Sequence, residues 1–399
     1  MTMIRREAPI LIVGGGIGGL AAALALAHEG RHVKILEQAS AIEEIGAGLQ
    51  LGPNALAAFD ALGVGERVRS HMTYPDRLVM LDAVDGKPIA DVPVGTAFRR
   101  RFGNPYALGH RADMHMALLE SVQAVGRVDL VTSMRIVEVE QTTRGVTAID
   151  ADGGHHDGIA LIGCDGVKSA VRQRLIGDAP RVSGDVVYRA MIEAGDFPVE
   201  LQGNAPVVWA GPNCHLVHYP LRDQKQYNLV VTFHSERQEA WGVTEGSQEE
   251  ILSHFVGIDR RPHQLLSLLN SGKRWATADR EPLDRWSSGH VTLLGDAAHP
   301  MLQYLGQGAC MTLEDAVTLG AAIRIHPDDL PQAFGLYERS RIARTARAVL
   351  SAREFGRLIH AKGMERIVRN ELWKGRTPER FYDALEWLYG WRADACLAA

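Results

Sequence analysis

The sequence of 399 residues has few cysteines and no long apolar run. Its four cysteines lie far apart, without the paired spacing of metal ligands, so we expect no metal site, no disulfide framework and a reducing compartment. The alanine-rich run at residues 20–27 is too short to cross a bilayer, and the segment before Ile10 has no apolar core of signal-peptide length. These absences predict a cytoplasmic protein without an integral membrane segment.

The sequence also lacks an excess of positive charge. Its formal net charge is -5, which gives no general attraction to nucleic acid or anionic lipid. The basic cluster at residues 99–101 is predicted to be a solvated turn. No internal repeat is visible, and the length exceeds that of one ordinary core. We therefore expect a globular enzyme with two packed domains, or one large domain with an inserted sheet.

The N-terminal pattern predicts a strand, a tight turn, a helix and a second strand. Ile10–Val13 is apolar throughout and ends in glycines. The alanine-rich run follows as a helix, and Gly30 ends it. Val33–Leu36 is the next apolar run and completes a strand–helix–strand unit.

Later patterns predict a second sheet and a helical end. Alternation between residues 187 and 234 predicts an antiparallel sheet, and helical spacing dominates residues 308–325 and much of 330–386. The predicted fold class is α/β, with a Rossmann-like cofactor-binding domain, an inserted antiparallel-sheet substrate domain and C-terminal helices. The predicted boundaries are 1–75, 100–180 and 280–325 for the first domain, 76–99 and 181–279 for the second, and 326–399 for the helical region.

Gly14, Gly16 and Gly19 form a G-x-G-x-x-G loop between the first strand and the first helix. In that context backbone amides and a helix N-terminus can receive a pyrophosphate. Glu37 ends the second strand, 18 residues after Gly19, where a carboxylate can accept hydrogen bonds from adenosine ribose hydroxyls. The loop predicts a bound adenosine diphosphate but leaves FAD and NAD equally open, because both carry this group.

Two later segments place an aspartate beside a glycine directly after an apolar strand. They are Asp165-Gly166 and Gly295-Asp296. Ligands of open α/β sheets bind at such strand ends, so both aspartates are candidate cofactor contacts.

Gly308 and Ala309 begin a predicted helix. The exposed amides of a helix N-terminus can stabilise negative charge on a bound cofactor, and small residues permit its close approach. A simple helix-entry turn is the alternative.

Residues 211–221 predict a strand whose two faces differ. Its periodicity places His215, Val217 and Tyr219 on one face, and Cys214, Leu216 and His218 on the other. A neutral imidazole can accept a phenolic proton near physiological pH, and a tyrosine hydroxyl can donate or relay it. His215 and Tyr219 are therefore candidate catalytic groups, and packing within the sheet is the alternative role for each.

These segments, from residue 10 to about 316, resemble the class A flavoprotein aromatic hydroxylases, which include para-hydroxybenzoate, salicylate and 3-hydroxybenzoate hydroxylases. The resemblance implies a para-hydroxybenzoate hydroxylase-like fold with FAD as cofactor. It also implies that Asp296 binds the flavin ribitol, that Asp165 and Gly166 lie near the pyrophosphate and the nicotinamide route, and that Arg111 contacts FAD.

Within that family the chain is similar to the 3-hydroxybenzoate 6-hydroxylases in residues 46–54, 211–221, 300–305 and 369–372. By position, His215 and Tyr219 match the active-site histidine and tyrosine of that group, and Gln303 matches its pocket glutamine. Relatives that act on 6-hydroxynicotinate share the histidine and tyrosine pattern but lack the Leu-Gln-Tyr segment. Gln303 is therefore the main discriminator.

The function implied by the resemblance is that of a single-component monooxygenase. NADH or NADPH would be a transient donor to FAD, because no second glycine fingerprint marks a nicotinamide domain. O2, activated as a C4a-hydroperoxide, would hydroxylate 3-hydroxybenzoate para to its hydroxyl and give 2,5-dihydroxybenzoate (gentisate). A homodimer is implied at the family level. The alternatives are salicylate or 6-hydroxynicotinate hydroxylation, a flavin reductase or dehydrogenase, and a non-catalytic nucleotide-binding regulator.

Overall fold

The computed structural model describes residues 8–41, 47–143, 145–269 and 272–397. Gly46, in one of the segments that carry the resemblance, lies outside them. The helices of the described residues are α1 (Ile17–His28), α2 (Pro53–Ala61), α3 (Gly65–Arg69), α4 (Thr96–Phe102), α5 (Arg111–Val125), α6 (Ala170–Leu175), α7 (Gln248–His254), α8 (Arg260–Leu266), α9 (Gly308–Ile325), α10 (Leu330–Ile359), α11 (Gly363–Glu371) and α12 (Pro378–Tyr389).

The strands of the same residues form four sheets. In chain order they are β1 (Ile10–Val13), β2 (Val33–Leu36), β3 (Gly48–Leu51), β4 (Met72–Thr73), β5 (Arg77–Asp82), β6 (Pro88–Pro93), β7 (Ala107–His110), β8 (Val128–Val131), β9 (Ile136–Thr142), β10 (Gly145–Asp150), β11 (His155–Gly158), β12 (Ala160–Gly163), β13 (Arg181–Glu193), β14 (Val207–Gly211), β15 (Cys214–Leu221), β16 (Gln226–His234), β17 (Gly242–Glu245), β18 (Lys273–Asp279), β19 (Ser287–Ser288) and β20 (Val291–Leu293).

A six-stranded sheet forms the first layer. Its order is β19-β20-β12-β1-β2-β8, and it is parallel except for the edge strand β19. Every residue of β1 and β12 is buried, which explains why both strands are apolar throughout instead of alternating. The predicted strand–helix–strand unit is confirmed as β1, α1 and β2.

An eight-stranded sheet forms the second layer, in the order β17-β18-β13-β16-β15-β14-β5-β6. Its neighbours are antiparallel except β14 and β5, which run parallel. Two further sheets have three strands each, in the orders β11-β10-β9 and β3-β7-β4. The architecture is the predicted α/β class with an inserted sheet and C-terminal helices, while the domain boundaries stay a prediction.

One local prediction is wrong. Residues 99–101, predicted as a solvated turn, belong to α4, and Arg101 binds Glu386 (Nε to Oε2, 2.6 Å) and Asp383 (Nη2 to Oδ1, 3.1 Å) of α12. The cluster therefore connects two helices.

The C-terminal helices are anchored by a buried carboxylate. Asp82, at the end of β5, accepts hydrogen bonds from Arg366, Arg369 and Asn370 of α11 (2.8, 2.8 and 2.6 Å). Burial acts to raise the pKa of Asp82, but these hydrogen bonds outweigh it and keep the pKa below its usual value. None of the helices in the described ranges, including the 30-residue α10, is both long and apolar enough to cross a membrane.

A buried charge cluster joins α9 to α10. Glu314 accepts hydrogen bonds from Arg341 and Arg344 at 2.6 Å, and Asp315 accepts one from Nε of Arg341 at 2.7 Å. The side chains of Glu314, Asp315 and Arg341 have no accessible surface. A buried charge that loses its partner destabilises a protein by about 3–5 kcal/mol. Movement of one helix relative to the other would separate these pairs, so the cluster holds α9 and α10 in one relative position.

Replacing Glu314 with alanine is expected to lower the free energy of unfolding by about 3–5 kcal/mol, because two buried arginines would lose their partner. Urea denaturation followed by circular dichroism measures the change. The control is Glu371→Ala, which removes an exposed pair with Lys374 (2.8 Å) and should leave the midpoint nearly unchanged. Equal losses in both variants would contradict the role of the cluster.

Candidate active site

A cavity of about 650 Å³ is lined by residues of both layers. It extends from the N-terminal end of α1, past the turn that contains Asp296, to one face of β15. The predicted site residues that line it are Gly16, Arg111, Asp296, Gly308, Ala309, His215, Tyr219 and Gln303. Those outside its lining are Gly14, Gly19, Glu37 and Asp165. The fold therefore joins the predicted cofactor side and the predicted substrate side in one space.

The glycine loop is tight because its members lack side chains. Gly14 has φ +105°, and a Cβ there would lie 2.5 Å from the carbonyl oxygen of Cys164. A Cβ on Gly19 would overlap the carbonyl oxygen of Gly14, so glycine lets α1 pack closely on β1. A Cβ on Gly16 would meet no atom within 4 Å, since this residue faces the cavity. The start of α1 thus leaves room for a ligand group.

Glu37, at the end of β2, holds the glycine loop. Its Oε2 accepts a hydrogen bond from the N–H of Gly15 (2.6 Å), and its Oε1 accepts one from the N–H of Ala39 (2.7 Å). On the other side of the loop, Nε2 of His115 lies 2.8 Å from the carbonyl oxygen of Gly15. No sequence signal marks His115, and it was missed. The contact of Glu37 with a ribose stays a prediction.

Asp165 organises its own turn. Its carboxylate accepts hydrogen bonds from the hydroxyl of Ser169 (2.5 Å) and the N–H of Ala170 (2.7 Å), at the start of α6. Burial raises the pKa of this carboxyl. The neighbours Cys164 and Gly166 line the cavity, whereas Asp165 does not. The geometry gives Asp165 a part in shaping the cavity wall and leaves Gly166 exposed to the cavity.

Asp296 faces the cavity from a 3-10 turn. The turn is fixed by Asp315, whose Oδ2 accepts the N–H of Gly295 (3.0 Å) and lies 2.6 Å from Nε2 of the buried His299. Asp296 keeps accessible surface on its cavity side, but the surrounding protein displaces bulk water and raises the pKa of its carboxyl. His299 and Asp315 were missed, although the Gly-Asp-Ala-Ala-His segment contains the histidine.

Two helices begin at the cavity. Gly308 and Ala309 start α9, and Arg111 starts α5. The first N–H groups of a helix lack intrahelical acceptors and carry partial positive charge. Because all three residues line the cavity, this part of its wall suits a ligand with negative charge.

β15 presents alternate residues to the cavity, in agreement with its periodicity. His215, Val217 and Tyr219 line the cavity, whereas Cys214 and Leu216 pack into a buried apolar cluster. Burial lowers the pKa of His215 to about 3, so its imidazole is neutral at physiological pH. Burial also raises the pKa of the Tyr219 hydroxyl above its usual value, and outweighs the opposite effects of its polar neighbours. The strand thus offers one neutral imidazole and one protonated phenol.

Two side-chain amides at the cavity have buried N–H groups. Among the residues that the structure describes, neither Nε2 of Gln303 nor Nδ2 of Asn228 has a partner in full hydrogen-bonding geometry, although Asn228 lies close enough to the Tyr219 hydroxyl to act against the rise in its pKa. Asn228 lies opposite Tyr219 on β16, and its Oδ1 accepts the N–H of Gly48 at 2.9 Å. Asn228 was missed because the pairing of β15 with β16 is a tertiary feature.

A hydrogen-bonded pair adds to the cavity wall. The hydroxyl of Tyr106 donates to Oε1 of Gln50 at 2.7 Å, and both residues line the cavity. Gln50 lies in residues 46–54, a segment similar to the 3-hydroxybenzoate 6-hydroxylases, but the sequence predicted no role for Gln50 itself. Trp373 and Phe381 complete the wall from the C-terminal region, which the sequence analysis left without a role.

Comparison with known protein families gives the identity of this fold. Residues 7–349 match the family model described as FAD binding domain. The open space at Gly16 and the helix N-termini beside it fit the diphosphate of such a cofactor. The chain belongs to the FAD-binding flavoprotein hydroxylase family.

Individual relatives agree with this membership. A 3-hydroxybenzoate 6-hydroxylase of Polaromonas naphthalenivorans (strain CJ2) is 62% identical over 392 residues, 98% of each chain. A second, of Klebsiella oxytoca, is 56% identical over 389 residues, again 98% of each chain. The solved structure of a variant of Klebsiella pneumoniae HpxO complexed with FAD is 26% identical, with a TM-score of 0.83 over 96% of this chain and 99% of that one. A salicylate hydroxylase substrate complex, 24% identical, shares the fold with a TM-score of 0.82 over 98% of this chain and 97% of that one.

These findings confirm three predictions: the para-hydroxybenzoate hydroxylase-like fold, FAD as the cofactor, and an enzyme of the flavoprotein aromatic hydroxylase class. They do not assign a role to any single residue of the cavity.

The role of Gly16 can be tested with a matched pair of glycines. Gly16 and Gly95 are both helix N-caps with negative φ, and a Cβ on either would meet no atom within 4 Å, but only Gly16 of the two lines the cavity. Gly16→Val is expected to abolish retention of FAD, since the new methyl groups fill the space left for the cofactor, whereas Gly95→Val should retain it. Flavin absorbance after gel filtration measures retention, and circular dichroism checks folding. A folded Gly16→Val protein with full flavin content would contradict the assignment.

Proposed function

We propose that this enzyme hydroxylates 3-hydroxybenzoate at C6, para to the existing hydroxyl, and releases 2,5-dihydroxybenzoate. The observation that carries the proposal is that His215, Tyr219 and Gln303 face the same cavity as the residues of the cofactor side. A relative of 62% identity named for this activity supports it. Bound FAD, reduced by NADH, supplies the activated oxygen, and the chain positions and ionises the substrate.

The residues that hold FAD are proposed from the cofactor side of the cavity. The glycine loop and Gly166 would bind the pyrophosphate of FAD. The carboxylate of Glu37 would accept hydrogen bonds from the adenosine ribose, and that of Asp296 would bind the ribitol. Arg111 contacts the cofactor from the start of α5. The first amides of α9, at Gly308 and Ala309, stabilise negative charge on the reduced ring. The reduced nicotinamide is proposed to visit this site transiently.

His215 is proposed as the base that removes the phenolic proton. Its neutral imidazole has a lone pair available at physiological pH, since burial holds its pKa near 3. Tyr219 keeps its proton, because burial raises the pKa of its hydroxyl, and so it serves as a hydrogen-bond partner of the phenolic oxygen. A phenolate directs electron density to the para position of the ring, which is C6 of 3-hydroxybenzoate.

The unpaired amides are proposed to orient the substrate. Nε2 of Gln303 and Nδ2 of Asn228 are buried donors that lack partners in the described protein, and a buried N–H left unpaired costs about 1–3 kcal/mol. The oxygens of an aromatic carboxylate can accept both bonds. An aromatic acid therefore satisfies the amides and is held in one orientation, while the surrounding walls exclude water.

The assembly and location of the enzyme are part of the same proposal. We propose a cytoplasmic homodimer, on the basis of the family resemblance and of the cysteine pattern.

The substrate is tested by NADH oxidation and product analysis. Addition of 3-hydroxybenzoate to the FAD-loaded enzyme is expected to stimulate NADH oxidation and to yield 2,5-dihydroxybenzoate that contains one atom from labelled O2. Salicylate and 6-hydroxynicotinate are the comparison substrates, and NADPH the comparison donor. Stimulation without labelled product would indicate a reductase. Faster turnover of salicylate or 6-hydroxynicotinate would overturn the substrate assignment.

Replacing His215 with alanine is expected to lower the rate of hydroxylation at least about 100-fold, because the phenol would lose its base. FAD content should stay unchanged, since His215 lies on the substrate side. The control is His218→Ala, which removes a buried histidine from the opposite face of the same strand. Wild-type turnover in His215→Ala would reject the assignment of the base.

A further inference from the structure

A second buried histidine lies directly behind His215. Nδ1 of His215 and Nε2 of His360 are 2.7 Å apart, although 145 residues separate them in the chain. His215 lines the cavity, whereas His360 lies outside its lining. A contact this short between two ring nitrogens is a hydrogen bond in which one ring donates and the other accepts.

The backbone of His360 is anchored at both ends. The residue caps the C-terminal end of α10, where its N–H donates to the carbonyl oxygen of Gly356 (3.0 Å). Its own carbonyl oxygen accepts the N–H of Asn213 (3.0 Å), in the turn that leads into β15. The helix and the strand therefore hold the two imidazole rings at a fixed separation, with ring centroids 4.9 Å apart.

The direction of this hydrogen bond decides which nitrogen of His215 is basic. Burial lowers the pKa of both rings to about 3, so each is neutral and carries one N–H. If Nδ1 of His215 donates to His360, then Nε2 of His215 has the free lone pair. With the opposite tautomer, Nε2 would carry the proton, and His215 could not accept one from a substrate.

The surroundings of the pair contain charges of both signs. Asp185 favours the protonated form of His360, whereas His234 and Arg369 oppose it. Asp185 accepts the hydroxyl of Tyr304 (2.7 Å) and lies 3.0 Å from Nδ1 of His234. The ring of Tyr304 packs edge-on against His360, with centroids 5.6 Å apart. The C-terminus of α10 adds partial negative charge. Asp185 and the helix end therefore offset only part of the cost that burial and the neighbouring His215, His234 and Arg369 place on a positive charge at His360.

We propose that His360 is a positioning residue that accepts the Nδ1–H of His215 and thereby fixes the tautomer in which Nε2 of His215 removes the phenolic proton. The O–H bond of the substrate breaks, and an N–H bond forms at Nε2 of His215. The positive charge is shared between the two rings, and no group is oxidised or reduced. The inference rests on the proposed function, in which His215 is the base.

The tautomer can be observed without turnover. Nitrogen-15 NMR of the histidine-labelled FAD-loaded enzyme, with His215 assigned by comparison with His215→Ala, is expected to show the proton on Nδ1. His360→Gln should keep this tautomer, because the amide oxygen can still accept the bond, whereas His360→Leu should lose it. A wild-type spectrum with the proton on Nε2 would overturn the proposal, and it decides the question even where His360→Leu does not fold.

The consequence for the substrate is measured by titration. The pKa of bound 3-hydroxybenzoate, followed by ultraviolet difference spectra of the oxidised enzyme, should rise in His360→Leu and return close to the wild-type value in His360→Gln. The kcat of His360→Leu should fall at least about tenfold, with a much smaller change in KM. His218→Leu, on the opposite face of β15, is the control and should leave the titration curve unchanged.

The outcomes separate this inference from the proposed function. If the wild-type enzyme forms 2,5-dihydroxybenzoate, and a folded His360→Leu protein shows the same bound-phenol pKa and kcat, then the positioning role is wrong and the function stands. Equal losses in His360→Gln and His360→Leu also contradict it, because they indicate a structural role alone. If the wild-type enzyme does not convert 3-hydroxybenzoate, the proposed function fails, while the NMR spectrum still decides the tautomer.

Discussion

The buried contact of Asp315 with Arg341 and the backbone of Gly295 is the constraint on which the site depends. Charges removed from water must remain paired, so α9, α10 and the turn before Asp296 cannot move independently. The same helix, α9, begins at the cavity, and α10 ends at Ile359, directly before its cap His360. The cluster therefore fixes the part of the cavity wall formed by the start of α9 and the turn of Asp296. Through the 30 residues of α10 it also fixes His360, which lies behind the proposed base His215.

The cavity has to satisfy two opposing electrostatic requirements. In the proposed reaction, activated oxygen is best protected from water, and apolar side chains of the C-terminal region, such as Trp373 and Phe381, form part of the cavity wall. Burial makes a positive charge on His215 costly, as the lowered pKa of its imidazole shows. A second imidazole at 2.7 Å, with Asp185 and a helix C-terminus nearby, offers a way to accept a proton without exposing the site to water.

The parts of the site that depend on local chain geometry could be read from the sequence. Gly14 adopts φ +105°, which favours glycine, and a Cβ on Gly19 would overlap the carbonyl oxygen of Gly14, so both requirements act within the loop and show in the spacing of its glycines. The alternation that turns His215 and Tyr219 to one side of β15 is equally local. By contrast, the contact of Asp315 with Gly295 depends on helix packing, and that of Asn228 with Gly48 on strand register, so neither could be predicted.

The sequence by itself determined the strand–helix–strand unit, the α/β class, the α9 helix and the likeness to FAD-dependent aromatic hydroxylases. The first three features depend on periodicity and on backbone sterics, which act over a few residues, whereas the likeness depends on motifs that the chain shares with that family. The tertiary structure decided that the two sides share one cavity and that His360 lies behind His215. It also decided that the amide donors of Gln303 and Asn228 lack a partner there among the residues that the structure describes. Such contacts join residues as far as 145 positions apart, and they arise only when burial of the apolar faces brings the layers together.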